Sequence, residues 1–319
     1  MEARQLEAAC APGGSCEGLV LLTGAEGRSH SAWGEHLTFV ANHADLIIAT
    51  HPNTVMTDGI DQVSASRFTE DSSFENVNFL EIFNGWGRHF KPHQYWLATQ
   101  KWDDILTAGC RVFAVADDDS MLDFPGVGNS SSSRPEIRGK GLPNQFGGCG
   151  FGWSMVYMGH DRAGTTEAET CGMGVGAGGD QRGRAVRQRL ISAMSQGRFY
   201  CSTGVTISAI EVEGDRITVR TADAERLFGS IDGGEIVARA TGQEISFRVP
   251  PRATYARVTA SRGEGVHHID GEQFAWTQPF WVSVGGVPRS VDPRHQPLGR
   301  GWQVSSAAVE HARPHLPVQ

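Results

Sequence analysis

The chain has 319 residues, a formal net charge of -8, 39% hydrophobic residues and 40 glycines, which is enough for one large domain or two ordinary ones with long loops. The acidic balance, with a pI of about 5.8, disfavours a broad electrostatic grip on nucleic acid or an anionic membrane, but leaves small anionic substrates held by a metal. No run approaches the roughly 18 apolar residues of a membrane span. The first nine residues read as an amphipathic helix without a signal-peptide core, and the six cysteines (Cys10, Cys16, Cys110, Cys149, Cys171, Cys201) form no CxxC pair. Both features fit reduced thiols and a cytoplasmic location.

Residues 19–23 read as a short strand ending at Gly24-Ala25-Glu26, and residues 36–41 as a second, opened by His36. Residues 45–50 read as a third, an apolar run that leaves the core at His51-Pro52-Asn53. Residues 77–83 alternate and end at Asn84-Gly85-Trp86. A helix is expected from Gln94 to Ala108, with Trp96, Leu97, Trp102, Ile105 and Leu106 on one stripe and Gly109 as its stop. Residues 111–116 form the next strand, ending in Asp117-Asp118-Asp119. Strand, helix and strand with short joints predict a parallel sheet or α/β barrel.

Two glycine- and serine-rich loops, 125–152 and 159–183, flank a strand at 153–158. A helix over 184–196 carries Val186, Leu190, Ile191 and Met194 on one face and stops at Gly197. Beyond Gly204 the texture changes to short alternating strands at 207–212, 216–220, 235–240, 244–249, 255–260 and 280–284. These predict a small antiparallel β-sandwich over 204–284, followed by a Pro-, Arg- and His-rich tail over 285–319.

The chemistry-bearing residues stand at strand ends. Glu26, His36, His51 and the Asp117–Asp119 run are oxygen and imidazole donors, and residues just past the carboxyl ends of parallel strands converge on one rim. Such a mixed set suits Zn, Mn or Fe. Taken singly, each has a structural reading: a cap for Glu26, a sheet histidine for His36, a hydrogen-bonded loop ring for His51, a solvated acidic turn for the aspartates. Arg88, His89, Lys91 and His93 follow the fourth strand as phosphate-contacting candidates or as a solvated basic loop. His267-His268 reads as a surface pair.

In order along the chain these segments resemble the PHP (polymerase and histidinol phosphatase) metal-dependent phosphoesterases. Gly24-Ala-Glu26 with His36 resembles the family's G-x-E…H element, and His51-Pro52 its HP motif. Glu81-Ile-Phe-Asn84-Gly85 resembles the strand that follows, and residues 111–119 the late strand ending in a ligand aspartate. Residues 191–204 resemble a junction found in a bacterial subset, and residues 275–282 that subset's β-domain ending. The resemblance spans roughly residues 15 to 283. No His-x-His or Thr-Asp-His element precedes Glu26, and Met121 stands where the family places a histidine two residues past its aspartate.

The resemblance implies an incomplete, distorted (β/α) barrel of PHP type over 1–203, followed by the β-sandwich. It implies Glu26, His36, His51 and Asp119 as ligands of divalent metal ions (Zn, Mn or Fe), with Asp118 as the fallback. Asp119 and His51 would be catalytic, Arg88, His89 and Lys91 would meet a small phosphorylated substrate, and the reaction would be hydrolysis of a phosphate ester. The competing expectation is a catalytically inactive PHP-like binding protein whose β-sandwich holds a ligand or partner.

Overall fold

The computed structural model describes residues 44–53, 63–85, 96–118, 151–158, 179–264, 271–282, 288–289 and 302–303. Parallel pairing among them is confined to one three-stranded sheet of β1 (Ile48–Ala49), β2 (Phe79–Asn84) and β3 (Phe113–Asp117), in that order. Register places Ile48, Phe79 and Phe113 on one row and Ala49, Leu80 and Ala114 on the next. Every residue of β2 is buried, as expected of a central parallel strand covered on both faces. Between β1 and β2 lies the short helix α1 (Ala65–Glu70). Between β2 and β3 runs helix α2 (Thr99–Thr107), which buries Trp102, Asp103, Ile105 and Leu106. Gly109, at φ +90°, turns the chain out of that helix where a side chain would be strained. Trp96 and Leu97 precede the helix, and Leu97 instead bridges Phe83 of β2.

The remaining strands are antiparallel. β4 (Trp153–Val156), β5 (Phe199–Ser202), β8 (Arg226–Ile231), β9 (Glu235–Thr241), β11 (Tyr255–Arg262), β12 (Gln273–Thr277), β13 (Phe280–Val282) and β14 (Pro288–Arg289) make an eight-stranded sheet. A four-stranded sheet, in the order β10-β7-β6-β15, is built from β10 (Glu244–Arg248), β7 (Arg216–Thr221), β6 (Ile207–Glu213) and β15 (Trp302–Gln303). Between β4 and β5 lies helix α3 (Gly179–Ser195), which starts inside the stretch that reads as the second glycine-rich loop.

The eight-stranded sheet is a middle layer. Alternate residues of each strand point to opposite faces. Tyr200, Ala256, Val258, Ala260, Ala275 and Phe280 therefore join one core with Ile217, Val219, Ile245 and Phe247 of the smaller sheet. Their neighbours Phe199, Cys201, Tyr255, Trp276 and Trp281 join a second core with Phe79, Phe83, Phe113, Trp102 and Leu106. Ring contacts tie that core together: Phe113–Trp281 at 5.5 Å, Phe79–Phe199 at 6.1 Å and Phe83–Trp276 at 6.5 Å between centroids.

Two polar devices join the layers. The side-chain amide of Gln278 accepts from the Ala114 N–H at 2.9 Å and donates to the Ala114 carbonyl at 2.9 Å, so one glutamine stands in for a neighbouring strand at the outer edge of β3. Cys201 Sγ also donates to the Ala114 carbonyl. Asp103 of α2 receives Arg257 of β11 through two bonds of 2.7 and 2.6 Å and the Tyr255 hydroxyl at 2.7 Å, while the guanidinium lies 5.3 Å from the Trp102 ring centroid.

The expected incomplete (β/α) barrel is therefore corrected: the described chain is mostly antiparallel β-structure with three α-helices. The cause lies in β4 and β5. Both fall in the half expected to be α/β, where residues 153–158 read as a strand and residues 199–202 as part of the junction, yet they pair antiparallel with each other, and β5 continues onto β12. The strands expected at residues 19–23 and 36–41 lie outside the described residues. The tail expectation covers β14 and β15, which pair with β13 and β6.

Candidate functional site

Three strands that run in one direction bring their carboxyl ends to one edge, and the polar residues collect there. β1 is followed by Thr50 and His51, β2 ends in Asn84, and β3 ends in Asp117 with Asp118 next. This edge is where open parallel sheets place ligands.

His51 has φ +50°, the one positive value among the described residues other than glycine. A left-handed residue with a Cβ costs on the order of 1 kcal/mol, so the surroundings must hold it. They do so through Glu81 of β2. The His51 backbone N–H donates to Glu81 Oε2 at 2.9 Å, and His51 Nδ1 lies 3.2 Å from the same oxygen. The ring also meets Asn84 at 3.0 Å through Nδ1. The turn beyond is fastened to α2: the Lys101 ammonium donates to the Pro52 carbonyl, and the Asn53 amide donates to the Leu97 carbonyl at 3.0 Å.

Glu81 is the unusual group. Its residue is 1% exposed, and its second oxygen, Oε1, is buried without a hydrogen-bond partner in the structure. Carboxylates are almost never fully buried unless paired, and a buried acceptor left unmet costs about 1–3 kcal/mol.

Asp118 is held differently. Its Oδ1 accepts the backbone N–H groups of Phe151 at 2.7 Å and Gly152 at 2.9 Å. This clamp brings the chain entering β4 against the ends of β2 and β3. Close approach there requires glycine: a Cβ on Gly152 would stand 2.6 Å from the Phe83 ring and 2.8 Å from the Asp117 carbonyl, and one on Gly85 would stand 2.9 Å from Asp118 Cα. Gly85 also donates its N–H to the Asp117 carbonyl at 2.9 Å.

The structure thus places His51 and Asp118 just past the ends of β1 and β3, the two strands that flank β2, and joins His51 to Glu81 and Asn84 of β2. Glu26, His36, Asp119, Arg88, His89, Lys91 and His93 lie outside the described residues. Glu81 and Asn84 are the site residues that the sequence reading did not single out. The signal was present: a glutamate inside the otherwise apolar run Phe79 to Phe83, which ends in Asn-Gly. Among the described residues no group of three or more His, Cys, Asp or Glu side chains is arranged to hold a metal ion. Imidazole beside a carboxylate with an unmet buried oxygen suits a divalent cation in kind, and the described residues supply only part of a donor set. No described helix is long and apolar enough to cross a membrane.

Comparison with protein-family models, with curated proteins and with solved structures gives no match.

Proposed function

We propose that the chain is a metal-dependent phosphoesterase working at the carboxyl ends of β1, β2 and β3. The observation that carries the reading is the His51–Glu81 pair: an imidazole in a strained left-handed turn, whose backbone N–H is bonded to a buried carboxylate that lies 3.2 Å from the ring nitrogen and keeps one oxygen unmet. His51 would be a metal ligand together with Glu26, His36 and Asp119, with Asp118 in reserve. A divalent metal (Zn, Mn or Fe) would supply a water of lowered pKa and positive charge for the phosphoryl oxygens. The chain's own contribution is to fix the imidazole and bury the carboxylate behind it. Arg88, His89 and Lys91 would position a small phosphorylated substrate. A cytoplasmic setting belongs to the same proposal.

A second reading has its own support. Asp118 Oδ1 is committed to two backbone amides, and Met121 stands where the resemblance calls for a histidine. Both favour a binding protein that holds a ligand at this edge without turnover.

The test is elemental analysis of the purified full chain, then hydrolysis of p-nitrophenyl phosphate mono- and diesters with added Mn or Zn. Bound metal, with turnover that His51→Ala abolishes, is the expected result. Metal without turnover selects the binding protein. Absence of metal, or turnover unchanged in His51→Ala, refutes the phosphoesterase.

A further inference from the structure

We infer that Asp103 and Arg257 are positioning residues: their buried fork fixes the register of α2 against the antiparallel sheets, and through α2 the turn that follows His51. The guanidinium donates from Nε to Asp103 Oδ1 at 2.7 Å and from one terminal nitrogen to Oδ2 at 2.6 Å. Its other terminal nitrogen donates to Thr259 Oγ1 at 2.7 Å, two residues along the same strand, and the Tyr255 hydroxyl donates to Asp103 Oδ1 at 2.7 Å. Both halves of the pair are therefore held in place by further groups of β11. The backbone is also shaped around the carboxylate: a Cβ on Gly234 would stand 2.7 Å from Asp103 Oδ2.

Spacing on the helix divides its work. Gln100, Asp103 and Thr107 recur at helical intervals and share one face. That face meets the turn Asp232–Gly234, where the Gln100 amide donates to the Gly233 carbonyl and the Gly233 N–H donates to the Thr107 hydroxyl at 2.7 Å. Lys101, and Leu97 just before the helix, hold the turn after His51. The ammonium donates to the Pro52 carbonyl, and the Leu97 carbonyl accepts the Asn53 amide at 3.0 Å. A slip of α2 by one residue would move it about 1.5 Å and rotate it about 100°, displacing both holds. Apolar burial is non-directional, and cores lose uniqueness before they lose stability. Two parallel bonds between ionised groups fix translation and rotation together. A buried ion pair is often no more stabilising than apolar side chains of similar volume, so net stability does not account for this one. Direction is what it adds, and setting a single register is the best-attested use of buried polar groups.

The register role stands on the geometry alone; its effect on turnover rests on the phosphoesterase reading. The test compares the full wild-type chain with Asp103→Leu/Arg257→Met, in which an apolar pair of similar volume replaces the fork at little cost in stability. Hydrogen exchange read by mass spectrometry should rise about tenfold or more in α2 and in residues 50–53, while β8 keeps its rates. Hydrolysis of p-nitrophenyl phosphate esters should fall by up to about 100-fold, the loss that a misplacement of about 1 Å produces. Gly214→Ala, at the open turn between β6 and β7, controls for stability itself. It should leave turnover, and the exchange of α2 relative to β8, unchanged. Wild-type exchange across α2 in the double variant overturns the inference, and so does full turnover with α2 loosened. If the double variant does not fold, native-state exchange of the wild-type chain in rising urea decides. Opening of α2 together with β11 upholds the register role, and opening of α2 at lower urea than β11 overturns it. A loosened α2 in a protein whose wild type has no turnover keeps the register role and removes the phosphoesterase.

Discussion

Removing Asp103 should destabilise the protein far more than any surface carboxylate. Asp103 and Arg257 are 3% and 6% exposed at their side chains, and the aspartate receives three bonds, two from the guanidinium and one from Tyr255. Asp103→Ala strands a guanidinium that the protein cannot deprotonate. Its remaining supports are the bond to Thr259 Oγ1 and the Trp102 ring. Breaking a buried pair by deleting one partner costs about 3–5 kcal/mol, whereas replacing both partners with apolar groups of similar volume is roughly neutral or even stabilising. The single variants Asp103→Leu and Arg257→Met should therefore each lose several kcal/mol, and Asp103→Leu/Arg257→Met should recover most of that loss. Urea denaturation of all four proteins closes the cycle, with stability read from the midpoints at constant slope. Single losses below about 1 kcal/mol, or a double variant as weak as the sum of the singles, would refute the assignment of this pair as a buried, mutually dependent joint between α2 and β11.

Other expectations are simpler to test. Gly197 has φ +66°, and an added Cβ would stand 2.4 Å from the Phe113 ring, while Gly214 has φ +60° with open space around it. Gly214→Ala should cost about 1 kcal/mol from the backbone alone, and Gly197→Ala about 1–3 kcal/mol more, because Phe113 is wedged against Phe199 and Trp281. Gln278→Leu should cost roughly 2–4 kcal/mol by orphaning the Ala114 N–H and weakening its carbonyl's pairing, again read by denaturant midpoint. Burial pushes the Cys201 thiol up to about 12, so the native protein should resist iodoacetamide at this residue while the unfolded chain reacts. The same shift sets a pH limit. An unfolded cysteine titrates near 8.5, so the stability Cys201 contributes is intact below that pH and declines as pH rises toward the folded value, by about 2–3 kcal/mol at pH 10.5. Burial raises Tyr200 and Tyr255 in the same sense. Cys201→Ala should flatten the alkaline limb of the stability curve; an unchanged limb would remove Cys201 as its cause.

Much of the strand inventory was legible in the sequence, whereas the direction of pairing was not. Phe199–Ser202 and Tyr255–Arg262 are continuous or nearly continuous buried runs. Such runs normally signal parallel strands covered on both faces. Here the same pattern arises because an antiparallel sheet is itself covered on both faces, by the four-stranded sheet on one side and by the core around Phe79 and Phe113 on the other. Local periodicity reports that a strand is buried twice and is silent about which partners bury it. β8 and β12 were not anticipated for related reasons. Arg226–Ile231 contains a glycine, and Gln273–Thr277 follows a glycine-containing turn, so neither has the plain alternation of its neighbours. At the site, His51 was visible because it ends an apolar run. Glu81 was read only as part of a strand, since its importance depends on a ring thirty positions earlier in the chain.

The glutamine that seals the edge of β3 also dictates an order of events. Ala114 and Gln278 are separated by 164 positions. A ribosome adding about 5–20 residues per second needs on the order of ten seconds or more to reach the second after making the first. Throughout that interval β3 presents an open row of backbone donors and acceptors, the kind of edge that recruits strands from other molecules. Closing it waits for the last strands of the large sheet, which makes this a high-contact-order, slow-closing fold. The amide at position 278 is therefore a guard against aggregation as much as a stabilising contact, and its loss should lower soluble yield during synthesis more steeply than it lowers the melting temperature of the finished protein.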